Sequence, residues 1–229
     1  MKFSIIIPVY KEKNIIEKID NLNNQLKGLD YEIIIVEGKD EWEKSPTEQN
    51  MEGEPSVYFT TSPKGRGIQL QKGAETATGD LLIFLHYDTK LDLNQIEDIL
   101  KNYGRFDYGA FRLRIDGSKF FYRVIEFFVL LRSRVFKLPY GDQTIFIKKD
   151  ILNSIGGVKK VPLFEDVELM IRCKKYKLTF YLSPLLSKTS DRRWRRKGAI
   201  KNSIKNIFLL LLYFIGVKEE KLYRIYYGN

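Results

Sequence analysis

In this chain of 229 residues, an apolar run is followed at once by two side chains that can bind a metal ion. Residues 81–85 read LLIFL and lead into His86, Tyr87 and Asp88, which is typical of a buried strand whose carboxyl end faces a ligand site. Because side chains alternate along a strand, we expect His86 and Asp88 to point into one cleft and Tyr87 to point away. Carboxylate oxygens suit hard cations, and imidazole suits Mn²⁺ or Zn²⁺. The alternative is a polar strand exit that binds no ligand.

Two adjacent carboxylates, Glu165 and Asp166, stand near the start of a helix predicted within residues 161–172, VPLFEDVELMIR. Acidic side chains stabilise a helix start through its dipole, and this is the simpler interpretation. However, Leu163 and Phe164 immediately precede the pair and would hold it against a partly desolvated wall. Burial raises the pKa of a carboxylate, so one of these two acids is a candidate general base.

A third candidate site is the segment SPKGRG at residues 62–67, which opens a helix predicted to run to about Ala77. Its glycines let backbone approach a ligand, and Lys64 and Arg66 beside a helix N-terminus suit a phosphate group. The alternative is an ordinary loop before a helix.

The spacing of the apolar residues predicts an α/β fold. Strands predicted at residues 3–9 and 31–36 flank a helix predicted at residues 12–27, which makes a β-α-β unit with parallel strands. Further strands are predicted at residues 57–60, 81–85, 109–115 and 144–148. Asp92 should cap the next helix, and the polar residues 39–55 are predicted to form a loop or a short helix.

Composition limits the partners and the compartment. The formal charge of +10 favours an anionic partner, such as nucleic acid, anionic lipid or a phosphorylated small molecule, or else reflects a lysine-rich surface. No zinc-finger, helix-turn-helix or RNA-binding pattern accompanies the charge, so we expect no nucleic-acid partner. The single cysteine, Cys173, excludes an intrachain disulfide. With no signal-peptide pattern and no apolar run long enough to span a bilayer, we expect a cytoplasmic location.

Two apolar segments suggest contacts beyond the core. Residues 191–197 read DRRWRRK and precede the apolar run 207–215, a combination typical of an interfacial membrane anchor. A helix packed on the domain or a dimer interface are the alternatives. Residues 120–136 form a predicted helix that is apolar around most of its circumference. It fits a core helix, a helix under a lid, or contact with an apolar partner.

Several stretches with recognisable character occur in one order along the chain. They are SIIIPVYKEKNI, EIIIVEGK, KGRGIQLQKGAETATGDLLIFLHYDT and FEDVELMIR. This series resembles the family 2 glycosyltransferases, and it is most similar to a small bacterial and archaeal subgroup with His-x-Asp in place of the usual Asp-x-Asp. GAFRLRIDG, LRSRVFKLPYGDQTIFIKK and RRWRRKG also look like that subgroup, so the resemblance covers nearly the whole chain.

The resemblance implies a fold of the GT-A type, which is a Rossmann-like, mostly parallel central sheet flanked by helices. A single such domain would span residues 1–197, with a nucleotide-binding half of about 1–90 and an acceptor-side half of about 91–197. Residues 198–229 would form a C-terminal helical extension, amphipathic or apolar, that contacts a membrane surface or a second copy in a homodimer. The implied activity is inverting transfer of a sugar from a nucleotide-diphosphate sugar to an acceptor. The apolar helices would suit a lipid-linked acceptor and a peripheral position at the inner face of the cell membrane.

The resemblance also assigns roles to individual residues. Asp166 would be the catalytic base with Glu165 beside it, and Asp88 would bind a divalent cation, Mn²⁺ or Mg²⁺. His86 would either join Asp88 as a metal ligand or contact the donor. Glu37 stands where the family usually has an aspartate, and the following residues, in EGKDEW, depart from the family's DGGS-type run. The residues implied to bind the nucleotide sugar are Pro8, Val9, Tyr10, Glu12, Glu37, Lys64, Arg66, His86, Gln143, Arg192, Arg193 and Trp194.

The implied chemistry agrees with the residue types, because inverting transfer needs one base for the acceptor and positive charge for the leaving diphosphate. Two other functions stay open at this point. One is a catalytically inactive GT-A-fold binding or scaffold protein at the membrane, which His86 and the EGKDEW run would suit. The other is a sugar-phosphate nucleotidyltransferase, although no glycine-rich basic loop follows the first strand.

Overall fold

The first strands and helix confirm the predicted β-α-β unit. The structure is a computed structural model that describes residues 1–40, 49–51, 56–191 and 199–227. Strand β1 (Phe3–Val9), helix α1 (Ile15–Gln25) and strand β2 (Tyr31–Lys39) follow one another, and β1 pairs with β2 in parallel. Gly28, in the turn after α1, has a φ of 87°, a conformation that glycine adopts without strain.

The remaining elements continue the α/β pattern. The strands are β3 (Gln49–Met51), β4 (Ser56–Pro63), β5 (Leu81–Phe84), β6 (Tyr108–Ile115), β7 (Ile145–Lys148) and β8 (Phe180–Thr189). The helices are α2 (Arg66–Thr76), α3 (Leu93–Asn102), α4 (Phe120–Phe136), α5 (Lys149–Ser154), α6 (Glu165–Lys175), α7 (Ala199–Phe214) and α8 (Glu219–Tyr227). Asp92 caps α3 as predicted, since its side chain accepts a hydrogen bond from the Gln95 backbone N–H at 3.1 Å.

All eight strands form one sheet in the order β3-β4-β2-β1-β5-β7-β6-β8. The pairs β1–β2, β1–β5, β2–β4 and β6–β8 are parallel, whereas β3 and β7 pair antiparallel with their neighbours. The predicted mostly parallel central sheet is therefore confirmed. None of the described helices is long and apolar enough to cross a bilayer.

Helices cover both faces of the sheet, which explains the unbroken apolar runs. In β1, Ile5 and Ile7 belong to one buried apolar cluster and Ile6 to another on the opposite face. Strand β6 differs at its carboxyl end, where Arg112 is half-buried and Arg114 is exposed, as its alternating sequence predicts.

The structure contains strands that the sequence analysis did not assign. Residues 39–55, predicted as a loop or a short helix, include the short strand β3 at the edge of the sheet. Strand β8 was not predicted; its sequence, FYLSPLLSKT, contains Pro184 and lacks strict alternation. An edge strand tolerates a proline because one side of its backbone has no ladder to join.

A buried carboxylate holds the amino ends of the central strands together. Glu32 on β2 accepts hydrogen bonds from the Ser4 hydroxyl at 2.6 Å and from the Thr78 backbone N–H at 2.6 Å, and it lies 2.8 Å from the Lys2 ammonium. Burial alone would raise the pKa of Glu32, but these partners outweigh burial and lower it from 4.5 to about 2. The ionised side chain therefore links β1, β2 and the approach to β5.

This network predicts an acid-sensitive contribution to stability. A carboxylate whose pKa is lower in the folded state stabilises the fold above its unfolded-state pKa, and that contribution is lost as the pH falls from about 4.5 towards 2. Glu32→Gln should lower the free energy of unfolding at neutral pH by about 2–3 kcal/mol, and the difference from wild type should shrink near pH 3. Urea unfolding at both pH values measures this. Glu97→Gln, at an exposed position of α3, is the matched control, and an unchanged midpoint for Glu32→Gln at neutral pH would contradict the assignment.

Candidate active site

A cleft of about 1350 Å³ opens at the carboxyl ends of the parallel strands. The end of β1, the loop before α2, the turn after β5 and the loop before α6 all contribute to its wall. This is the edge of an α/β sheet where ligands bind. The structure brings together at this cleft the predicted site residues Pro8, Val9, Tyr10, Glu12, Lys64, Arg66, His86 and Glu165.

Arg66, the first residue of α2, joins the predicted phosphate-binding loop to the predicted acid pair. Its Nε lies 2.8 Å from Oε1 of Glu165, and its Nη2 lies 3.9 Å from Oδ2 of Asp166. The same Nη2 contacts Nε2 of His86. Three motifs that are far apart in sequence therefore meet at one guanidinium group.

The charges around Arg66 keep it protonated. Burial by itself lowers the pKa of Arg66, but the surrounding carboxylates outweigh this effect and raise the pKa above its ordinary value. These carboxylates belong to Glu165, Asp166, Asp142 and Asp88. Arg66 thus stays positively charged beside these four carboxylates, and a phosphate group that enters the cleft can also pair with its guanidinium.

The acid pair lies at the first turn of α6, as predicted. Glu165 is buried, and burial raises the pKa of its carboxyl group while Arg66 opposes the rise. Asp166 is half-buried, and its Oδ2 accepts a hydrogen bond from the Gly141 backbone N–H at 2.8 Å. Glu168, the third acid of this segment, instead pairs with Arg172 at 2.8 Å. Only the first two acids therefore face the guanidinium of Arg66.

Gly141, in the LPYGDQ segment, allows this arrangement to close. A Cβ atom at this position would overlap Nη2 of Arg66 and would lie 2.6 Å from Nε2 of His86. Because Gly141 has no side chain, its turn can approach Arg66 and His86 closely, and the Gly141 backbone N–H donates to Asp166. Sequence reasoning assigned no role to Gly141, and its only signal was its place between an aromatic residue and an acid.

The segment after β5 departs from the predicted alternation. Strand β5 ends at Phe84, and the Thr89 N–H donates to the His86 carbonyl at 3.1 Å, so residues 86–89 form a turn. Tyr87 lines the cleft together with His86. The expectation that Tyr87 points away is wrong, because the period-two rule holds only within an extended strand.

Asp88 acts on the site through its charge. It is half-buried, and among the described residues that line the cleft wall it does not appear. Its carboxylate nevertheless raises the pKa of Arg66. Burial lowers the pKa of the Lys18 ammonium to about 8, and the carboxylate of Asp88 partly opposes this effect.

The two predicted metal ligands, Asp88 and His86, are not equally suited to a divalent cation. Within the described ranges, no cluster of three or more His, Cys, Asp or Glu side chains is arranged to hold a metal ion. The carboxylate of Asp88 suits a hard cation, and Mg²⁺ is commonly held by one or two carboxylates together with substrate phosphates. Nε2 of His86 faces the guanidinium of Arg66, whose positive charge disfavours a second cation there. Of the two predicted ligands, Asp88 therefore has the side chain better suited to a divalent cation.

A second polar cluster forms where β1 and β2 end. The Tyr10 hydroxyl donates to Oδ2 of Asp40 at 3.0 Å, and Nζ of Lys64 lies 4.1 Å from the centre of the Tyr10 ring. Sequence reasoning assigned the acidic role after β2 to Glu37. In the structure Glu37 pairs with Lys39 at 2.9 Å and is absent from the described cleft lining. Asp40, three residues later in the atypical EGKDEW run, is the acid that reaches Tyr10.

Gln69 is a further cleft residue that the sequence did not single out. Its Nε2 donates to the Val9 carbonyl at 2.7 Å and to the Val36 carbonyl at 2.8 Å. The side chain lies at a buried position of α2 and borders the cleft. It therefore holds the carboxyl ends of β1 and β2 at a fixed separation.

Gln143 was expected near the donor phosphate or the acceptor, but the structure places it in the interior. It is fully buried, and its Oε1 accepts hydrogen bonds from Arg132 and Ser133 at 3.0 Å each. Its Nε2 donates to the Phe111 carbonyl at 3.0 Å. Gln143 thus anchors the turn that carries Gly141. The predicted residues Arg192, Arg193 and Trp194 lie outside the described residues.

The C-terminal extension also reaches the cleft. Tyr223 and Tyr226 on α8 are among the residues that line it. Nζ of Lys205 on α7 donates to the Tyr226 carbonyl at 2.8 Å, which connects the last two helices. The ring of Tyr213 on α7 lies 5.5 Å from that of Phe164, directly before the acid pair. The sequence suggested a membrane anchor for this extension, with a dimer interface or a helix packed on the domain as alternatives, and it did not predict a place at the cleft.

Comparison with known proteins agrees with the geometry. Residues 4–159 match the family model described as glycosyl transferase family 2. The chain belongs to this family. A dolichol-phosphate mannosyltransferase of Pyrococcus furiosus is 34% identical over 92 residues, which are 38% of this chain and 26% of that relative. The match thus spans about a quarter of that relative's length.

Two solved structures share the fold of this family 2 member. The crystal structure of S. aureus TarS 1-349 matches with a TM-score of 0.58 at 14% sequence identity, and the match covers 98% of this chain and 69% of the TarS chain. The second structure is the mannosyltransferase PcManGT from Pyrobaculum calidifontis in complex with GDP-Man and Mn²⁺. It matches with a TM-score of 0.56 at 17% sequence identity, and the match covers 81% of this chain and 56% of the PcManGT chain. The predicted GT-A fold is therefore confirmed.

The contact between Gly141 and Arg66 yields a test of the site. Gly141→Ala should displace the flexible end of Arg66 and disturb its ion pair with Glu165, so the free energy of unfolding should fall by about 1–3 kcal/mol while the backbone fold is kept. Binding of inorganic pyrophosphate to the cleft should weaken about tenfold, because the guanidinium loses its position. Calorimetric titration measures this. Gly104→Ala, where no atom lies within 4 Å of the added Cβ, is the control; equal pyrophosphate affinity in both variants would refute the role of Gly141.

Proposed function

We propose that this protein is an inverting glycosyltransferase that moves a hexosyl residue from a nucleotide-diphosphate sugar to a lipid-linked acceptor. The observation that carries the proposal is the meeting of Arg66 with Glu165 and His86 at the cleft of a family 2 chain. The positive charge that could stabilise a leaving diphosphate, on Arg66, and the carboxylates that could take an acceptor proton, on Glu165 and Asp166, therefore lie next to each other. The name of the P. furiosus relative, a dolichol-phosphate mannosyltransferase, supports a lipid-linked acceptor and a mannosyl donor.

The proposed reaction is a single displacement. Asp166 takes the proton of the acceptor hydroxyl, and the acceptor oxygen attacks the anomeric carbon of the donor. The bond between that carbon and the diphosphate oxygen breaks on the opposite side, and the diphosphate leaves with the bonding electrons. One attack from the opposite face inverts the configuration, so a second carboxylate nucleophile is unnecessary. The Gly141 N–H and Arg66 hold the Asp166 carboxylate in place for this step.

Positive groups around the cleft would stabilise the leaving diphosphate. Arg66 lies at the centre, and Lys64 and Lys160 line the same cleft. A divalent cation held by Asp88 and the donor phosphates would neutralise further negative charge on the diphosphate when bound. The Mn²⁺ in the PcManGT complex supports this part of the proposal. His86, in contact with Arg66, would position the guanidinium and would not be a metal ligand.

The cellular setting is part of the same proposal. A lipid-linked acceptor would place the protein peripherally at the inner face of the cell membrane, within the cytoplasm. Residues 1–197 would carry the transferase domain, and the helices within residues 198–229 would complete the donor cleft through Tyr223 and Tyr226. We propose no nucleic-acid partner.

Donor binding tests the proposal directly. Calorimetric titration with a panel of nucleotide diphosphates and their sugars, with Mn²⁺ and then with a chelator, should find one nucleotide that binds best with the cation. Asp88→Ala should abolish the cation dependence, because it removes the proposed ligand, and should weaken binding about tenfold or more. The absence of binding to any nucleotide by the folded protein would instead favour a non-catalytic scaffold. Equal binding with Mn²⁺ and with chelator would overturn the cation assignment alone.

The two acids should separate in kinetic measurements. Asp166→Asn should lower kcat at least about a hundredfold with little change in donor affinity, since it removes the base and keeps the shape. Glu165→Gln should chiefly weaken donor binding, because it removes the charge that holds Arg66. Steady-state kinetics and donor titration of both variants measure the split. Retention of transfer by Asp166→Asn would eliminate Asp166 as the base.

A further inference from the structure

Helix α4 presents a continuous apolar surface to solvent. Phe120 is 82% exposed, and Phe127 and Phe128 are 61% exposed each. At 100° per residue, these side chains and two others fall on one side of the helix. We call this side the apolar stripe; it consists of Phe120, Phe127, Phe128, Leu131 and Val135, all of them exposed.

The opposite side of α4 fixes the helix to the domain. Tyr122 is buried in a cluster with Leu113 and Ile115 of β6. Near the other end, the Ser133 hydroxyl and the Arg132 guanidinium both donate to Gln143. The helix is therefore held along its length by its other face, and the apolar stripe faces outward on a fixed support.

The charges at the surface of α4 are of one sign. Glu126 is the only acidic residue of the helix. It turns inward, where its carboxylate accepts a hydrogen bond from the Ile115 backbone N–H at 2.7 Å and pairs with Arg123 at 3.0 Å. By contrast, Lys119 before the helix, Arg134 within it and Lys137 after it are all exposed.

We infer that α4 lays the apolar stripe into the surface of an anionic lipid bilayer. An amphipathic helix with large apolar residues on one side and Lys or Arg beside them binds at the level of the lipid headgroups. The basic residues would gain from the negative surface potential of anionic lipids. No exposed acid on the helix would oppose the approach.

A second copy of the chain is a less suitable occupant of the apolar stripe. In a two-fold symmetric dimer the same patch meets itself, so the basic residues that flank one stripe would meet those that flank the other. Glu126 could not relieve this repulsion, because it is engaged by Ile115 and Arg123. An anionic bilayer provides the opposite charge along the whole helix.

The membrane contact would lie close to the cleft in the chain. Helix α4 ends at Phe136, and Gly141, which contacts Arg66 and His86, follows within the next few residues. A bilayer beneath α4 would therefore lie a few residues along the chain from the turn that carries Gly141. Binding to vesicles needs no substrate, so its outcome is separate from that of the proposed glycosyl transfer.

A site-specific fluorophore tests the contact at the helix itself. Cys173 is buried, and burial raises the pKa of its thiol to about 12, so it should stay unlabelled in the folded chain. Phe128→Cys, labelled with an environment-sensitive dye, should show a blue shift with vesicles of phosphatidylcholine and phosphatidylglycerol. Pure phosphatidylcholine should give a much smaller shift. Ile16→Cys, at an exposed apolar position of α1, is the matched control and should not shift.

Vesicle sedimentation of the full chain gives the second measurement. The double variant Phe127→Ser with Phe128→Ser should lower the partition coefficient at least about tenfold, because two large side chains no longer enter the lipid. Circular dichroism should show an unchanged fold, since both positions are exposed. Arg134→Glu with Lys137→Glu should weaken binding most at low salt.

Three results would overturn the inference. The first is an absence of binding of the wild-type chain to the anionic vesicles, and the second is equal binding by the double Phe variant. The third is a blue shift that appears without lipid and follows a monomer–dimer equilibrium in sedimentation velocity, which would make the apolar stripe an interface between two copies.

Discussion

The ion pair between Arg66 and Glu165 is the interaction on which the rest of the site depends. Glu165 is buried and Arg66 only partly so, and a buried carboxylate is costly when the cation that compensates it is removed. The pair joins the start of α2 to the start of α6 at 2.8 Å, and Arg66 also contacts His86 after β5. Two helix starts and one strand end must therefore occupy fixed relative positions, and the turn with Gly141 closes against them.

The sheet supplies the rigid support that this charge cluster needs. At one end of the central strands Glu32 joins β1 to β2 and to the approach to β5, and at the other end Gln69 bonds the Val9 and Val36 carbonyls. Between these two networks the strands are buried on both faces. The cleft thus forms where the regular hydrogen bonding of the sheet ends and polar groups become available to a ligand.

The two apolar segments of the chain both expose large apolar side chains, which in the run 207–215 include Phe208, Leu211, Phe214 and Ile215, but only the C-terminal segment also reaches the cleft. The C-terminal helices, for which the sequence suggested a membrane anchor, bring Tyr223 and Tyr226 to the cleft. Helix α4, for which a core position was one expectation, keeps six large apolar side chains at the surface, the five of the apolar stripe and Phe136. Hydrophobic content alone cannot distinguish these cases, because it reports how much apolar surface a helix has and not which neighbour covers it.

The sequence alone determined the elements whose pattern is local. Unbroken apolar runs predicted β1, β2 and β5, the helical period predicted α1, the segment VPLFEDVELMIR predicted the acids at the start of α6, and the ordered motifs predicted the GT-A fold. Only the tertiary structure showed that Gly141 packs on Arg66, that Asp40 and not Glu37 reaches Tyr10, and that Gln143 is interior. The physical reason is range: strand and helix periods arise from neighbours along the chain, whereas these contacts join segments that meet only after the sheet has formed. The period-two rule failed at Tyr87 for a different reason: it applies only within a strand, and β5 ends at Phe84, three residues earlier.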